Sequence, residues 1–142
     1  MCAETVFVTR TSWERFAGAA MERSTKHIAI VEDDEGMNLA MVRLLQAAGF
    51  QTTTFSSAEA FLRQDAPLEL ACVIVDIHLP GLSGIELGRR LHQSGPVPRV
   101  VFITAHDDPA TRAQALEAGG CAYLTKPFHG RSLMAAIEGA SH

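Results

Sequence analysis

The sequence ACVIVD, at residues 71–76, decides the fold. It is apolar at every position from Ala71 to Val75 and ends in Asp76. A strand with one face in water alternates apolar and polar side chains, whereas the central strand of a parallel sheet is apolar throughout because helices cover both of its faces. The sequence therefore predicts a central parallel strand with an acidic residue at its carboxyl end.

Other segments extend this strand into a regular alternation of strands and helices. Further strands are predicted at residues 27–31, 51–55, 99–105 and 121–125. The segment at 51–55, QTTTF, has fewer apolar residues and predicts a partly exposed strand. Apolar residues then repeat at helical spacing from Met37 to Ala48, where Gly49 ends the first helix.

Capping residues indicate where the later helices begin. Residues 56–59 and 83–86 both have the pattern Ser-x-x-Glu, a capping box that closes the first turn of a helix. Asp108 and Pro109 fit an N-cap and a first helical position, and apolar residues at 133–137 predict a last helix. Five strands alternating with five helices predict an α/β fold with a doubly wound parallel sheet and right-handed crossovers.

Polar side chains collect at the ends of these strands, where open parallel sheets bind their ligands. They are Glu32, Asp33 and Asp34 after the first strand, Asp76 at the end of the third, Thr104 at the end of the fourth, and Lys126 after the fifth. Clustered carboxylates repel one another, and Mg²⁺ relieves the repulsion while keeping room for phosphate oxygens. A carboxylate there can attack phosphorus as a nucleophile, with the ammonium and hydroxyl groups stabilising the transferred charge.

Four stretches of the sequence resemble the motifs of response-regulator receiver domains. They are VEDDEGM (31–37), VDIHLPGLSG (75–84), VFITAHDD (101–108) and AYLTKPF (122–128), and each one overlaps or follows a predicted strand. Each motif is weak alone, but four in this order are specific, and the resemblance spans residues 26–139. It implies a flavodoxin-like (βα)5 fold with strand order 2-1-3-4-5, and a receiver domain at residues 26–142.

The resemblance also implies the residues of a magnesium site and a phosphorylation site. Asp76 is the phosphoacceptor and also a ligand of Mg²⁺. Asp33 binds the ion directly and Glu32 binds it through water. The backbone carbonyl of His78 completes the metal site, so the imidazole of His78 need not be a ligand.

Three further residues are implied to bind the phosphoryl group or to respond to it. Thr104 and Lys126 match the two side chains that contact the phosphoryl group. Tyr123 matches an aromatic residue whose inward or outward rotamer follows the Thr104 hydroxyl, although a half-buried tyrosine on an edge strand is also ordinary. The resemblance implies a cis bond between Lys126 and Pro127.

Some residues near the site allow a plainer interpretation. Asp34 and Glu35 suit the first turn of a helix, where acidic side chains match the helix dipole. His78 and His106 each lie two residues beyond a site residue, and we hypothesise that they flank the phosphoryl group and alter its hydrolysis. The remaining histidines, His27, His92, His129 and His142, fit surface positions.

Residues 1–25 have no counterpart in the family pattern. Trp13, Phe16, Ala17 and Ala20 fall on one face of a possible amphipathic helix at residues 12–23, which could dock on the receiver or on a second protomer. The alternative is that translation starts at Met21 and that the preceding residues are not native.

The composition excludes several other classes of protein. With 142 residues, 47% of them apolar and 20% charged, the chain fits one globular domain. No apolar run could cross a membrane, and the start lacks a signal-peptide layout, so a cytoplasmic location is expected. The net charge of −4 gives no indication of a nucleic-acid surface. Cys2, Cys72 and Cys121 are widely spaced and predict no disulfide, with Cys72 and Cys121 as buried thiols.

The resemblance implies a phosphorelay protein that is not an enzyme in its own right, although it assists its own aspartyl phosphorylation and dephosphorylation. A histidine kinase or histidine phosphotransfer protein would phosphorylate Asp76. Output would be protein–protein contact through the fourth helix, fifth strand and fifth helix, where a homodimer is also possible. The alternatives are the receiver portion of a FixJ-type DNA-binding regulator and a phosphorylation-independent interaction module. A Mg²⁺-dependent phosphatase is disfavoured because His78 stands where its second Asp is expected.

Overall fold

The computed structural model describes residues 5–8, 26–64, 69–94 and 98–139, with only the backbone described for 5–8. Within these ranges the strands are β1 (Thr5–Val8), β2 (His27–Val31), β3 (Gln51–Phe55), β4 (Cys72–Asp76), β5 (Arg99–Thr104) and β6 (Ala122–Thr125). The helices are α1 (Glu35–Ala47), α2 (Ala58–Leu62), α3 (Gly84–Gln93), α4 (Pro109–Glu117) and α5 (Gly130–Glu138). None of the described helices is long and apolar enough to span a bilayer.

The strands form one sheet in the order β1-β6-β5-β4-β2-β3. Strands β2 to β6 pair with one another in parallel, so the predicted parallel order 2-1-3-4-5 is confirmed. The chain leaves β2 toward β3 on one side and then crosses to β4 on the other side. The carboxyl ends of β2 and β4 therefore flank the switch point, where a ligand-binding crevice opens in folds of this class.

Strand β1 was not predicted from the sequence. It pairs antiparallel with β6, with Thr5 opposite Leu124 and Val8 opposite Ala122. Its four residues are too few to show a repeating pattern, and their pairing depends on an edge strand more than a hundred residues away. The sequence predicted that β6 is an edge strand, but its pairing with β1 means that it is not one. The helix predicted at residues 12–23 lies outside the described residues.

The buried side chains confirm that the central strands are covered on both faces. In β4, Val73 and Val75 face one apolar layer and Cys72 and Ile74 face the other. Side chains of α2, α3 and α4 complete the first layer, and side chains of α1 and α5 complete the second. The unbroken apolar run at 71–75 thus follows from two cores that share one strand.

The helix caps agree with the sequence at two positions and correct it at two others. Ser83 and Asp108 are N-caps, as predicted, and accept hydrogen bonds from the backbone N–H groups of the first helical turn. The N-cap of α2 is Ser57 rather than Ser56, because the Ser57 hydroxyl accepts the Ala60 N–H at 3.0 Å. Asp34 is more than a match to the dipole: its carboxylate caps α1.

A glycine allows α3 to approach the end of the central strand. A Cβ atom on Gly84 would overlap the backbone carbonyl oxygen of Asp76 and would also lie 2.8 Å from Val75 Cγ1. The Gly84 N–H donates a 3.1 Å hydrogen bond to the Ile77 carbonyl oxygen. Helix α3 therefore begins directly against the strand end that carries Asp76.

Candidate functional site

The Lys126 ammonium joins two acidic residues from different strands. Its Nζ donates to Oε1 of Glu32 at 2.9 Å and to Oδ2 of Asp76 at 3.1 Å. The Glu32 and Asp76 side chains are only 1% and 7% exposed, and Lys126 is 17% exposed. Burial alone would lower the pKa of Lys126, but its bonds to the two carboxylates outweigh burial and raise it. The predicted convergence of these residues on one sheet edge is confirmed.

Asp33 completes a cluster of three carboxylates with Glu32 and Asp76. One oxygen from each lies within 4.8 Å of the others. Asp33 is exposed while the other two residues are buried, so the cluster opens to solvent on one side. If all three are ionised and Lys126 is protonated, the group carries two uncompensated negative charges. A divalent cation with oxygen ligands fits both that charge and that opening.

The backbone around β2 and β4 holds two of these carboxylates in place. Oε2 of Glu32 accepts the Asp34 N–H at 3.1 Å, and Oδ1 of Asp76 accepts the His78 N–H at 2.9 Å. Asn38 Nδ2 donates to the Glu32 carbonyl oxygen at 2.7 Å, which ties α1 to the end of β2. Each carboxylate therefore has one oxygen bonded to the backbone and one bonded to Lys126.

Burial determines the protonation of Glu32 more strongly than its partners do. Desolvation raises the pKa of Glu32 to about 7, although the hydrogen bonds from Lys126 and from the Asp34 N–H oppose that rise. The neighbouring Asp76 raises it further by hydrogen bonding and repulsion. A cation added to the cluster would lower this pKa, since it would stabilise the charged form.

The Thr104 hydroxyl bonds within its own turn. It accepts the His106 N–H at 3.0 Å and donates to the His106 carbonyl oxygen at 3.2 Å. Thr104 is buried, and its strand lies beside β4, where Ile103 is the partner of Asp76. The structure thus places Thr104 at the expected strand end with its hydroxyl bonded to the loop that follows.

The two histidines beyond Asp76 and Thr104 lie against each other. The ring centroids of His78 and His106 are 5.4 Å apart, with an angle of 81° between the ring planes. Both residues are exposed. The sequence placed each of them near the site, but it could not indicate that the two rings meet.

Tyr123 is fully buried, which corrects the expectation of a half-buried tyrosine. Its hydroxyl donates to Oδ1 of Asp107 at 3.1 Å. Arg112 donates to both oxygens of the same carboxylate, at 2.7 Å from Nε and 2.5 Å from Nη2. These bonds lower the pKa of Asp107 and raise the pKa of Arg112. We call Tyr123, Asp107 and Arg112 the tyrosine clamp.

Glu59 connects α2 to the loop that follows Asp76. Its Oε2 accepts the Leu82 N–H at 2.8 Å, and this bond is the largest cause of the lowered pKa of Glu59. Gly81 in the same loop has φ +77°, and a Cβ there would lie 2.5 Å from the Glu59 carboxylate. Glu59 therefore bonds to this loop, whereas the sequence had predicted that it closes a capping box with Ser56.

The remaining candidates have structural roles or lie at the surface. His27 is half-buried and pairs with the Thr53 hydroxyl at 2.6 Å, which corrects its surface assignment, while His92 and His129 are exposed as predicted. Cys72 is buried, which raises the pKa of its thiol to about 12, whereas Cys121 is only half-buried. Both thiols are free. His142 and Cys2 lie outside the described residues.

The peptide bond between Lys126 and Pro127 is cis, as predicted. Residues 28–138, well over half of the chain, match the family model for the response regulator receiver domain. The chain belongs to this receiver domain family. Receiver domains are regulatory domains of response regulators in two-component signalling, and this receiver domain carries an acidic cluster of Glu32, Asp33 and Asp76.

Known proteins extend the similarity along most of the receiver domain. The chain is 39% identical to the transcriptional regulatory protein FixJ of Bradyrhizobium diazoefficiens over 80% of its own length and 56% of FixJ. A receiver protein from Burkholderia phymatum is 38% identical with a TM-score of 0.70, and covers 82% of this chain and 98% of its own. The BeF3-activated receiver domain of DrrB, from Thermotoga maritima, is 31% identical with a TM-score of 0.73, covering 80% of this chain and 95% of its own. The chain spans about half the length of the curated relatives it matches.

Proposed function

We propose that this receiver domain accepts a phosphoryl group on Asp76 from a histidine kinase or a histidine phosphotransfer protein, with Mg²⁺ bound at the carboxylate cluster. The observation that carries the proposal is the Lys126 ammonium, which bonds to Glu32 and to the acceptor Asp76 at 2.9 and 3.1 Å. An ion pair at the protein surface adds little to stability, so stability alone does not account for this arrangement. A phosphoryl-binding lysine must lie this close to the acceptor carboxylate.

In the proposed step an Asp76 carboxylate oxygen attacks the phosphorus of a phosphohistidine. A P–O bond to Asp76 forms while the P–N bond to the donor imidazole breaks, and the leaving imidazole takes up a proton. Oδ2 is now held by Lys126 and Oδ1 by the His78 N–H. These two contacts fix the position of the carboxylate within the cluster, in which Asp33 is the exposed member.

The carboxylates fit a magnesium site because they are hard oxygen ligands with excess negative charge. Asp33, Asp76 and the His78 backbone carbonyl would hold the ion, with Glu32 acting through water. When bound, Mg²⁺ neutralises charge on the phosphoryl oxygens. The exposure of Asp33 leaves space for the waters that Mg²⁺ retains.

Phosphorylation would act on the rest of the domain through Thr104. An aspartyl phosphate adds acceptor oxygens at Asp76, and the Thr104 hydroxyl would exchange its bonds to the His106 backbone for one of them. The same loop carries Asp107 of the tyrosine clamp, so its movement would also displace Tyr123. The surface of α4, β6 and α5 would change with it, by a shift between two populated states.

The similar DrrB receiver domain is described as BeF3 activated, which supports activation at the matching position of this chain. The similarity to FixJ favours a second possibility, a receiver that acts within a FixJ-type DNA-binding regulator. A phosphorylation-independent module is less well supported, because the three carboxylates and Lys126 are all in place. We place the protein in the cytoplasm, as a regulatory domain rather than an enzyme with a separate substrate.

Incubation with acetyl phosphate and Mg²⁺, followed by intact-mass measurement, tests the proposal. We expect one added phosphoryl group that survives acid and is lost in base. Asp76→Asn should remove the label, and Asp33→Asn should weaken Mg²⁺ binding by about tenfold or more, since it removes a charged ligand. Asp108→Asn is the matched control, because an asparagine still caps α4 and the residue lies outside the cluster.

The outcomes separate the two functions. Absence of label in the wild-type protein, or label that persists in Asp76→Asn, would overturn phosphorylation at this site. The second possibility is tested by fusing the chain to the DNA-binding half of FixJ and measuring operator binding with and without acetyl phosphate. Phosphorylation-dependent binding would support a FixJ-type role.

A further inference from the structure

We propose that His78 and His106 together form a binding site for a divalent transition-metal ion of the Zn²⁺, Ni²⁺ or Cu²⁺ type. This site is separate from the carboxylate cluster and differs from it in chemistry. Imidazole nitrogen prefers these borderline ions, whereas carboxylate oxygen suits Mg²⁺. The domain would thus carry two adjacent sites that select different metals.

The spacing of the two rings fits ligation of one ion. Zinc–nitrogen bonds of about 2.0–2.1 Å in a tetrahedral site place the centroids of two ligating imidazoles about 5 Å apart. The observed centroid separation of His78 and His106 is 5.4 Å. The rings stand at 81° to each other rather than stacked face to face, so rotation about their side-chain bonds can direct one nitrogen of each ring toward a shared ion.

The backbone on both sides of the pair is already fixed. The His78 N–H bonds to Asp76 Oδ1 at 2.9 Å, and the His106 N–H bonds to Thr104 Oγ1 at 3.0 Å. The strands that lead into these turns are neighbours in the sheet. Because hydrogen bonds already hold the backbone of both ligands, metal binding does not have to order it. The entropy cost of binding is therefore small, which favours affinity.

The imidazoles are also free to bind. Both residues are exposed, and in the part of the chain that the structure describes neither ring has a hydrogen-bonding partner. The nearby carboxylates are engaged elsewhere: Asp76 bonds to Lys126, and Asp107 bonds to Arg112 and Tyr123. Water can therefore complete the coordination of an ion held by the two nitrogens.

Binding can be measured directly and does not depend on phosphorylation. The full chain, with any purification tag removed, is saturated with Mg²⁺ to fill the acidic site and then titrated with Ni²⁺ by calorimetry. With Cu²⁺, electron paramagnetic resonance should show coupling to two nitrogens. We expect His78→Ala/His106→Ala to bind Ni²⁺ more than about tenfold more weakly and to lose this coupling.

Two controls isolate the pair. His92→Ala/His129→Ala removes two other exposed histidines and should leave Ni²⁺ affinity unchanged. Asp33→Asn should weaken Mg²⁺ binding but not the two-nitrogen Cu²⁺ spectrum. Undiminished binding in His78→Ala/His106→Ala would assign the metal to other ligands and overturn the proposal, and so would a wild-type spectrum without two coupled nitrogens.

A bound ion should also slow phosphorylation, because both ligands adjoin residues of the acceptor site. This consequence rests on the proposed function. We expect Ni²⁺ at saturating Mg²⁺ to slow labelling by acetyl phosphate at least threefold in the wild type and not in the double histidine variant. If the wild type takes no label even without Ni²⁺, the proposed function fails, while calorimetry and the Cu²⁺ spectrum still decide the metal site.

Discussion

The Tyr123 hydroxyl donates a 3.1 Å hydrogen bond to Asp107, a residue from the loop between β5 and α4. Burial raises the pKa of this phenol to about 12, and the bond to the Asp107 carboxylate contributes to the rise. The clamp therefore joins the strand beside α5 to the loop that also carries His106, the partner of Thr104. Movement of that loop would break the bond from Tyr123 to Asp107, and the pKa of Tyr123 would change with it.

Removal of the charge of Asp107 should lower the pKa of Tyr123. We expect Asp107→Asn to shift it downward, although it should stay above the ordinary value of about 10 because burial remains. Ultraviolet titration measures this cleanly, since Tyr123 is the only tyrosine in the chain. Asp108→Asn is the control and should shift the pKa less, because Asp108 does not bond to the phenol. Equal shifts in both variants would contradict the clamp.

The stability of the metal-free protein should fall as pH rises through neutrality. The folded-state pKa of Glu32, about 7, lies above its ordinary value of 4.5, so the folded state binds this proton more tightly than the unfolded state. The associated stability is fully present below pH 4.5 and is lost as pH rises through 7. A shift of this size corresponds to roughly 3 kcal/mol.

Glu32→Gln isolates that effect. In the presence of EDTA, denaturant unfolding between pH 5 and 8 should show a steeper loss of stability in the wild type than in the variant, by on the order of 1–3 kcal/mol. Glu69→Gln, at an exposed position, should keep the wild-type slope. Parallel pH curves for the wild type and Glu32→Gln would contradict a raised pKa.

Loss of the Glu59 bond should disturb the loop after Asp76. Glu59 accepts the Leu82 N–H at 2.8 Å, and that loop includes His78, whose carbonyl we propose for the metal site. We expect Glu59→Ala to weaken Mg²⁺ binding by about three- to tenfold, less than the roughly 10- to 100-fold lost when a direct partner of a metal ligand is removed, because Glu59 bonds to the loop and not to a ligand. Glu59→Gln keeps an acceptor oxygen and should bind Mg²⁺ more tightly than Glu59→Ala. Calorimetry measures both, and equal affinities in all three proteins would exclude this role.

The imidazoles of His78 and His106 should lengthen the life of an aspartyl phosphate. The two rings contact each other, and each lies on a residue two positions beyond Asp76 or Thr104, so we expect them to restrict the approach of water to a phosphoryl group on Asp76. We expect His78→Ala/His106→Ala to lose the phosphoryl group roughly three- to tenfold faster than the wild type. The donor is removed in buffer that contains a metal chelator, Mg²⁺ is then supplied, and the loss of the phosphoryl group is followed by intact mass. His92→Ala/His129→Ala serves as the control. Half-lives equal to that of the wild type would refute the hypothesis.

Deletion of residues 1–20 should destabilise the receiver domain. The deletion removes β1 and exposes the edge of β6, whose backbone amides should then exchange faster with solvent. We expect the melting temperature to fall by roughly 2–8 °C, which corresponds to about 1 kcal/mol in a domain of this size. Unchanged melting, exchange and solution mass would rule out docking of residues 1–20 on the receiver domain or on a second protomer.

The local sequence was sufficient to predict the strands and the meeting of the site residues, because both follow from a pattern that repeats along the chain. The apolar runs at 27–31, 71–75 and 100–103 predicted buried parallel strands, and the order of the polar strand ends predicted that Glu32, Asp76 and Lys126 meet. Such predictions work because a parallel sheet brings all its carboxyl strand ends to one edge.

Contacts between loops and side chains of other elements could not be predicted in this way. Glu59 accepts the Leu82 N–H instead of closing a capping box within its own helix. The spacing of Ser56 and Glu59 in the sequence had predicted the capping box. Asp107 and Arg112 are ordinary charged residues until the fold brings Tyr123 to them. The only signal for this clamp was the position of Asp107 three residues after Thr104, and many solvent-exposed acidic residues lie as close to a strand end.

Strand β1 also affects how the sheet can assemble with other chains. An unpaired strand is a template for any extended segment that offers matching backbone groups, and β1 already fills that template along β6. A tethered segment competes with a free one at an effective concentration that can reach the millimolar range. A partner strand that pairs with β6 therefore competes with β1. It displaces β1 only if it binds β6 tightly enough to offset the high effective concentration of the tethered strand.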